Sequence, residues 1–346
     1  MLLSATYTEA TISPLFVRQM VAFAVALVLF FMTSKFSYHS LRRYAPFVYI
    51  AGVVALGAVA VIGTVIRGTV SRLEFFGVQL QPSEFMKVGL VTILAWLIVR
   101  APLLTWRTIL MTVCMLALPT ALVVREPDLG VAALMVLVWA ALMVFAGLSW
   151  KKIGVLVLVG GVVLGVSWQT LLLDYQKDRI RTFLNPAEDP LRTGYNITQS
   201  IIALGSGKVI GRGLGHGPQS QLKFLPERHT DFILASIGEE LGFVGIMLVL
   251  GLYGILFWRI IRIIYATQDR FGQLLAAGTF FTLLTSFVVS AGMNMGLLPV
   301  TGIPLPLISY GGSNLVFTFV LLGLVESVRV HGAFHQPAPK EISGFI

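Results

Sequence analysis

An all-α, polytopic integral membrane bundle is the fold class this sequence predicts, and three observations predict it. Hydrophobic residues make up 56% of the 346-residue chain, charged residues only 12%, and mean hydropathy is +0.86. A soluble domain carries roughly 25% charged residues. The apolar residues fall in runs of about 20, the length that carries a helix across a bilayer. Most charges collect in short clusters between those runs. A backbone in lipid must satisfy its own hydrogen bonds, so such runs are helices, and the alternation of a membrane barrel strand is missing from the sequence.

Taken in order, the runs place about nine spans, at 18–34, 46–66, 85–101, 107–124, 129–148, 153–172, 232–258, 272–294 and 312–330. Alternate connectors are basic: Lys35, Arg42 and Arg43; Arg100 and Arg107; Lys151 and Lys152; Arg259, Arg262 and Arg270; then Arg329 and Lys340 in the tail. The positive-inside rule makes these cytoplasmic and leaves 67–84, 125–128, 173–231 and 295–311 outside. The stretch 173–231 holds eight Lys/Arg and six Asp/Glu, which is compatible because long loops translocate regardless of charge. The chain is therefore expected in a membrane, with these loops on its cytoplasmic side. Nine spans with a cytoplasmic C-terminus place Met1 outside, and no cleavable signal peptide is expected. Residues 1–330 read as one transmembrane domain and 331–346 as a disordered cytoplasmic tail. The formal charge of +9 is explained by the cytoplasmic loops, so nucleic acid is not an expected partner. Cys114 is the only cysteine, which excludes an internal disulfide.

The unusual residues gather in the outer segments. Gln81-Pro82-Ser83-Glu84 precedes Lys87. Proline and an acid suit the first turn of a helix, and Glu84 and Lys87, three apart, can pair on one face. A cation about a turn inside the bilayer is expensive. It is either half of a structural ion pair or a lining of a polar cavity. Arg125-Glu126-Pro127-Asp128 puts three charges into a tight turn; Asp128 either caps the next helix or serves a site.

The stretch 195–242 carries Lys208 and Arg212 among Gly205, Gly207, Gly211, Gly213, Gly215 and Gly217, then Phe224 to Phe232, then Glu239 and Glu240. The glycines are no P-loop, since Val209 follows Lys208, although their backbone could approach a phosphate. Asp231 stands where the long loop enters a span. Burial there would raise its pKa and Arg228 would lower it, and a carboxylate so placed can act as a base. Glu239 and Glu240 cannot both share its helix face, so at least one is expected to hold helices together. His216 and His229 match no standard metal spacing. Finally, 294–313 is apolar but broken by Pro299, Gly302, Pro304, Pro306, Gly311 and Gly312. Non-helical backbone at membrane depth must be sheltered by protein or line a cavity, so this reads as a re-entrant segment.

These residues resemble the SEDS family of bacterial peptidoglycan polymerases over nearly the whole chain. The motifs are QPSEFMK at 81–87, EPDLG at 126–130, FLPERHTDF at 224–232, IGEELG at 237–242 and LPVTGIPLPLISYGGS at 298–313. Gln219 to Leu222 and Ile303 to Pro306 are closer to the RodA-like branch than to the FtsW-like one. Two departures stand out. Ten spans are usual in the family, so the first is expected to be missing here. Leu73 follows Arg72 where the family tends to carry a tryptophan.

The resemblance implies glycosyl transfer on lipid II in cell-wall elongation and cell-shape maintenance, with Asp231, the aspartate of the HTDF motif, as the essential acid. The α-linked donor would be inverted to a β(1→4) link with undecaprenyl pyrophosphate leaving. Single displacement needs one base and no protein nucleophile. The leaving group needs cations, from Lys87, Lys208, Arg212, Arg228 or a divalent ion such as Mg or Mn. Glu84, Asp128 and Ser309 complete the expected substrate-binding set. No soluble nucleotide cofactor is expected. Expected partners are lipid II, the nascent glycan, a class B penicillin-binding protein and other elongation-complex membrane proteins. A lipid II flippase is the main alternative and a non-enzymatic scaffold the third; a transporter site belongs near the midplane, whereas the polar residues here crowd one boundary.

Overall fold

A computed structural model of the chain describes residues 14–62, 64–66, 69–75, 78–101, 103–170, 173–185, 193–222 and 224–332. The expectations about Met1, the N-terminal side and the tail 333–346 lie outside the described residues. Each of the nine apolar runs coincides with a helix: α1 (Pro14–Lys35), α2 (Tyr38–Ile62), α3 (Pro82–Arg100), α4 (Trp106–Arg125), α5 (Leu129–Phe145), α6 (Trp150–Thr170), α10 (Ile233–Ala266), α11 (Arg270–Asn294) and α12 (Gly312–His331). Seven of these are long and apolar enough to cross a membrane. The other two are α2, of 25 residues, and α5, of 17. The chain is a multi-pass helical membrane protein.

The helices differ in what they bury. α3 and α11 form the middle, with Leu90, Leu94, Leu274 and Leu275 in one apolar cluster with Leu134 and Met135 of α5. Gly278 lets α11 approach α3, since a methyl there would press on Val91, the small-residue contact usual between membrane helices. The core hydroxyls of Thr92, Thr279, Thr282 and Ser286 each donate to the carbonyl four residues back. That satisfies them without a partner helix. α6 buries none of its side chains.

Two connectors are more structured than loops. Within 67–84, β2 (Thr69–Phe75) and β3 (Val78–Leu80) pair antiparallel, and β2 also pairs with β1 (Thr64–Ile66), which ends the run read as a span at 46–66; the pairs include Ile66 to Thr69 and Phe75 to Val78. The sequence reading took 67–84 as a connector; its Thr, Val and Phe content favours extended pairing. Segment 173–231 holds α7 (Asp174–Leu184), α8 (Thr193–Ser206) and α9 (Pro218–Gln221).

The span read at 232–258 needs correction, because α10 is two helices in series. Gly242 has φ 66° and ψ −160°, a conformation only glycine adopts without strain. Every residue from Ile233 to Glu240 is buried, while Phe243, Val244, Met247 and Leu248 beyond the break are exposed apolar side chains. The first piece therefore sits inside protein and the second presents a face to lipid.

Candidate active site

Four chain segments meet at one end of the bundle: the starts of α3, α5 and α10, and the broken segment 295–311 between α11 and α12. Pro82 occupies the first turn of α3, where its missing N–H costs nothing. One turn in, Lys87 Nζ lies 2.6 Å from Glu84 Oε2, both side chains almost out of solvent. Asn314 Nδ2 donates to the same Glu84 oxygen at 3.1 Å, and the Gln81 amide donates to Ser313 Oγ at 3.1 Å. A buried pair persists only when hydrogen-bonded neighbours complete it, and α12 supplies one here.

The α4–α5 turn lies beside this pair. Asp128 Oδ1 accepts from the Val131 amide at 3.0 Å, so it caps α5. It also lies within electrostatic reach of Glu84, Lys87 and Arg179. Burial pushes its carboxyl up, the Val131 amide pulls it down, Glu84 raises it, and Lys87 and Arg179 lower it. Cap and site member are thus compatible roles. Glu126 is buried, and neither of its oxygens has a hydrogen-bond partner among the described residues. Burial, with Asp128 adding to it, pushes this carboxyl up to about 8. Gly130 follows the cap, and a methyl there would overlap the Thr301 carbonyl oxygen. The broken segment therefore rests directly on the start of α5.

The same segment reaches Asp231. The amides of Thr230, Asp231 and Phe232 all point to the Glu227 carbonyl, at 3.1, 3.1 and 3.3 Å, which curls 227–232 into a tight turn before α10. Tyr310 N donates to the His229 carbonyl at 2.8 Å and Ser309 Oγ to the Thr230 carbonyl at 2.6 Å. The Tyr253 hydroxyl donates to the Pro306 carbonyl. A methyl on Gly302 would lie 3.8 Å from Asp231 Oδ2, so the carboxylate stands over a position of this stretch that has no side chain. Non-helical backbone here is sheltered by protein, with Ile303 and Leu305 buried, as the broken-segment reading requires. Ser309 needs correction as a substrate ligand. Its hydroxyl also accepts from Leu305 N at 2.9 Å and is buried, so it joins protein to protein.

Arg228 Nε donates to His229 Nε2 at 3.2 Å. That nitrogen is therefore an acceptor, and the imidazole is neutral. Burial, then the Arg228 charge, against the pull of Glu227, brings His229 down to about 4. Burial lowers Arg228, while Glu240 and Glu239 raise it, so this guanidinium sits in the field of both acids.

Lys208 and Arg212 lie on the glycine-rich loop between α8 and α9, and that loop is bound to the break in α10. Phe243 N donates to the Lys208 carbonyl at 2.9 Å and Val244 N to the Val209 carbonyl at 3.1 Å; Arg212 N and Gly213 N donate to the carbonyls of Glu239 and Glu240, each at 3.0 Å. A methyl on Gly207 would overlap the Gly238 carbonyl oxygen, and one on Gly211 the Glu240 carbonyl oxygen. Gly207 and Gly211 thus admit the backbone of α10. The Lys208 side chain is exposed; Arg212 Nε donates to Ser206 at its carbonyl and hydroxyl, 3.3 and 3.2 Å. Glu239, fully buried, accepts from Gln219 N, Ser220 N and Ser220 Oγ at 2.8, 2.9 and 2.6 Å. It is the acid of the pair that holds elements together.

Sequence reasoning missed Asn294, Asn314 and Arg179. The two asparagines flank the broken segment as lone amides at the ends of apolar helices, which is a readable signal. Arg179 is one of several charges on α7 and has none. Among the described residues no three His, Cys, Asp or Glu side chains are arranged to hold a metal ion.

The family model for FtsW, RodA and SpoVE, described as a cell cycle protein, matches residues 1–333. Peptidoglycan glycosyltransferase MrdB of Escherichia coli (strain K12) is 39% identical over 317 residues, which span 91% of this chain and 85% of that protein. Peptidoglycan glycosyltransferase RodA of Treponema pallidum (strain Nichols) is 30% identical over 397 residues, spanning 92% and 90%. Among solved structures, a chain of a peptidoglycan synthase complex, studied for how it coordinates polymerization and crosslinking, superposes with a TM-score of 0.81 at 31% identity, over 92% of this chain and 90% of its own. The rod shape determining protein RodA of Thermus thermophilus gives 0.71 at 28% identity, over 97% and 92%.

Proposed function

The chain belongs to the family of FtsW, RodA and SpoVE, and we propose that it polymerises lipid II into glycan strands for cell-wall elongation, with Asp231 as the general base. It is a peptidoglycan glycosyltransferase, as its relatives are named. The observation that carries the site is the broken segment. At Gly302 it lies against the Asp231 carboxylate, and past its far end Ser313 and Asn314 bond to Gln81 and Glu84. It so connects an acid and a buried cation.

In this reading Asp231 takes the proton from the acceptor sugar's 4-hydroxyl as that oxygen attacks the donor's anomeric carbon. The α-glycosyl phosphate bond breaks, a β(1→4) bond forms, and undecaprenyl pyrophosphate leaves with the electron pair. Negative charge grows on the departing pyrophosphate and calls for fixed cations. Lys87 and Arg228 are assigned that work because each is charged, buried or half-buried, and set close to the broken segment or to Asp231. Lys208 and Arg212, on the α10-bound loop, are assigned to lipid-linked phosphate nearer the surface. Asp128 and Glu84 hold Lys87 in place. Protein cations offset the leaving group's charge, alone or beside a divalent ion such as Mg or Mn.

The basic connectors support an orientation with this end of the bundle outside and the C-terminus cytoplasmic. Crosslinking is the work of a transpeptidase. The likeness to a chain of a synthase complex that couples polymerization to crosslinking supports a class B penicillin-binding protein as partner. The test is purified full-length protein with lipid II. Glycan polymer that disappears in Asp231→Asn supports the reading; lipid movement between leaflets without polymer would instead make it a flippase.

A further inference from the structure

We infer that Asn294 is a positioning residue for Asp231: its side-chain amide caps the first turn of α10 and ties that turn to the Asp231 backbone. α10 starts after Phe232, whose carbonyl accepts from Ser236 N at 3.2 Å, so the Ala235 amide is one of the first-turn donors that its own helix leaves without an acceptor. Here Ala235 N donates to Asn294 Oδ1 at 2.9 Å, and Asn294 Nδ2 donates to the Asp231 carbonyl at 2.8 Å. The carboxamide thus stands between the two groups as an extra peptide unit would. The Asp231 backbone is held one amide-width away from the helix that follows it, with its side chain turned over Gly302.

The clamp is rigid at its own end. The second Nδ2 hydrogen goes to the Ser290 carbonyl at 2.8 Å, and Ser200 Oγ donates to the Asn294 carbonyl at 2.7 Å. Asn294 is fully buried, and both amide hydrogens are engaged. Only an amide sets one acceptor and two donors on one flat group, and Asn294 uses all three. An aspartate keeps the acceptor for Ala235 and loses the donor to Asp231. An alanine loses both.

The inference rests on reading Asp231 as the base, and the experiment separates the two. Full-length Asn294→Asp, Asn294→Ala, Ser200→Ala and Asp231→Asn proteins are assayed on lipid II alongside thermal melting in detergent. Asn294→Asp is expected to melt as a folded protein, with kcat reduced on the order of a hundredfold, the scale of a misplaced catalytic group, and KM within about twofold of wild type. Asn294→Ala is expected to behave likewise. Ser200→Ala, which loosens the backbone end of the clamp and keeps the carboxamide's own bonds, is expected to lose kcat by no more than about tenfold, less than either Asn294 variant. The inference is overturned if a folded Asn294 variant keeps its kcat, if its loss lies wholly in KM, or if neither variant folds, which would make Asn294 a fold residue. Near-wild-type polymerisation by Asp231→Asn would sink the base reading itself, whatever Asn294 does.

Discussion

Lys87 Nζ sits 2.6 Å from Glu84 Oε2, one turn inside α3, with almost no solvent on either side chain. Asn314 completes the Glu84 end. Removing one partner of a buried pair leaves a charge uncompensated and costs about 3–5 kcal/mol. Lys87→Met and Glu84→Gln are each expected to lower the melting temperature far more than an exposed change such as Arg181→Gln. The double variant is expected to recover part of the stability and none of the polymerisation. A Lys87→Met protein as stable as wild type would contradict the pairing as a structural element.

Asp231→Asn keeps the shape of the side chain and removes the base. Polymerisation of lipid II is expected to fall below detection while melting temperature and membrane insertion stay at wild-type values. Glycan length on gels and melting curves check the two halves separately. Robust polymer from a folded variant would remove Asp231 from the mechanism.

Glu126 makes stability depend on pH. Burial pushes its carboxyl from an ordinary value of 4.5 to about 8, so between those values the folded chain holds a proton that the unfolded chain has released. The stability this contributes is full below about pH 4.5 and is lost as pH rises through about 8. Glu126→Gln is expected to flatten this part of the melting-temperature profile and to raise the melting temperature at pH 9. An unchanged slope in the variant would show that Glu126 does not carry that proton.

Glycines at the α10 break and in α6 are expected to respond oppositely to alanine. A methyl on Gly207 overlaps the Gly238 carbonyl oxygen, whereas one on Gly160 meets nothing within 4 Å. Gly207→Ala should destabilise by about 1–3 kcal/mol through overpacking. Gly160→Ala should be neutral or stabilising by up to about 1 kcal/mol. Melting curves in one detergent decide between them, and a Gly207→Ala protein of wild-type stability would refute the close docking.

The parts of this molecule that were legible in its sequence are those set by local pattern. Hydropathy located all nine apolar helices, and the three-residue spacing of Glu84 and Lys87 placed them on one face. Proline and glycine marked 294–313 as broken. What escaped depends on distant partners. Gly242 is unremarkable in an apolar run, and the break appears only because the 207–213 backbone docks there. The glycines of that loop announced a close approach without saying to what. Asn294 was a lone amide at a helix end, and its meaning lies 59 residues away at Ala235. β2 and β3 were hidden by a connector reading and β1 by the span read to Ile66, although Thr69 to Phe75 has strand-like composition.

α6 has a consequence beyond packing, since none of its side chains is buried in the described chain. Its 21 residues rise about 31 Å, close to the roughly 30 Å of a hydrocarbon core. Near its start Ile153 and Leu156 pack against the core and Lys152 reaches the Leu104 carbonyl, but the rest is mostly exposed and takes its tilt from the bilayer, leaning in a thin membrane and standing upright in a thick one. α7 follows it in the chain and carries Arg179, whose charge reaches Asp128. Acyl-chain length in the surrounding lipid thereby acquires leverage over the electrostatics at the other end of that arm.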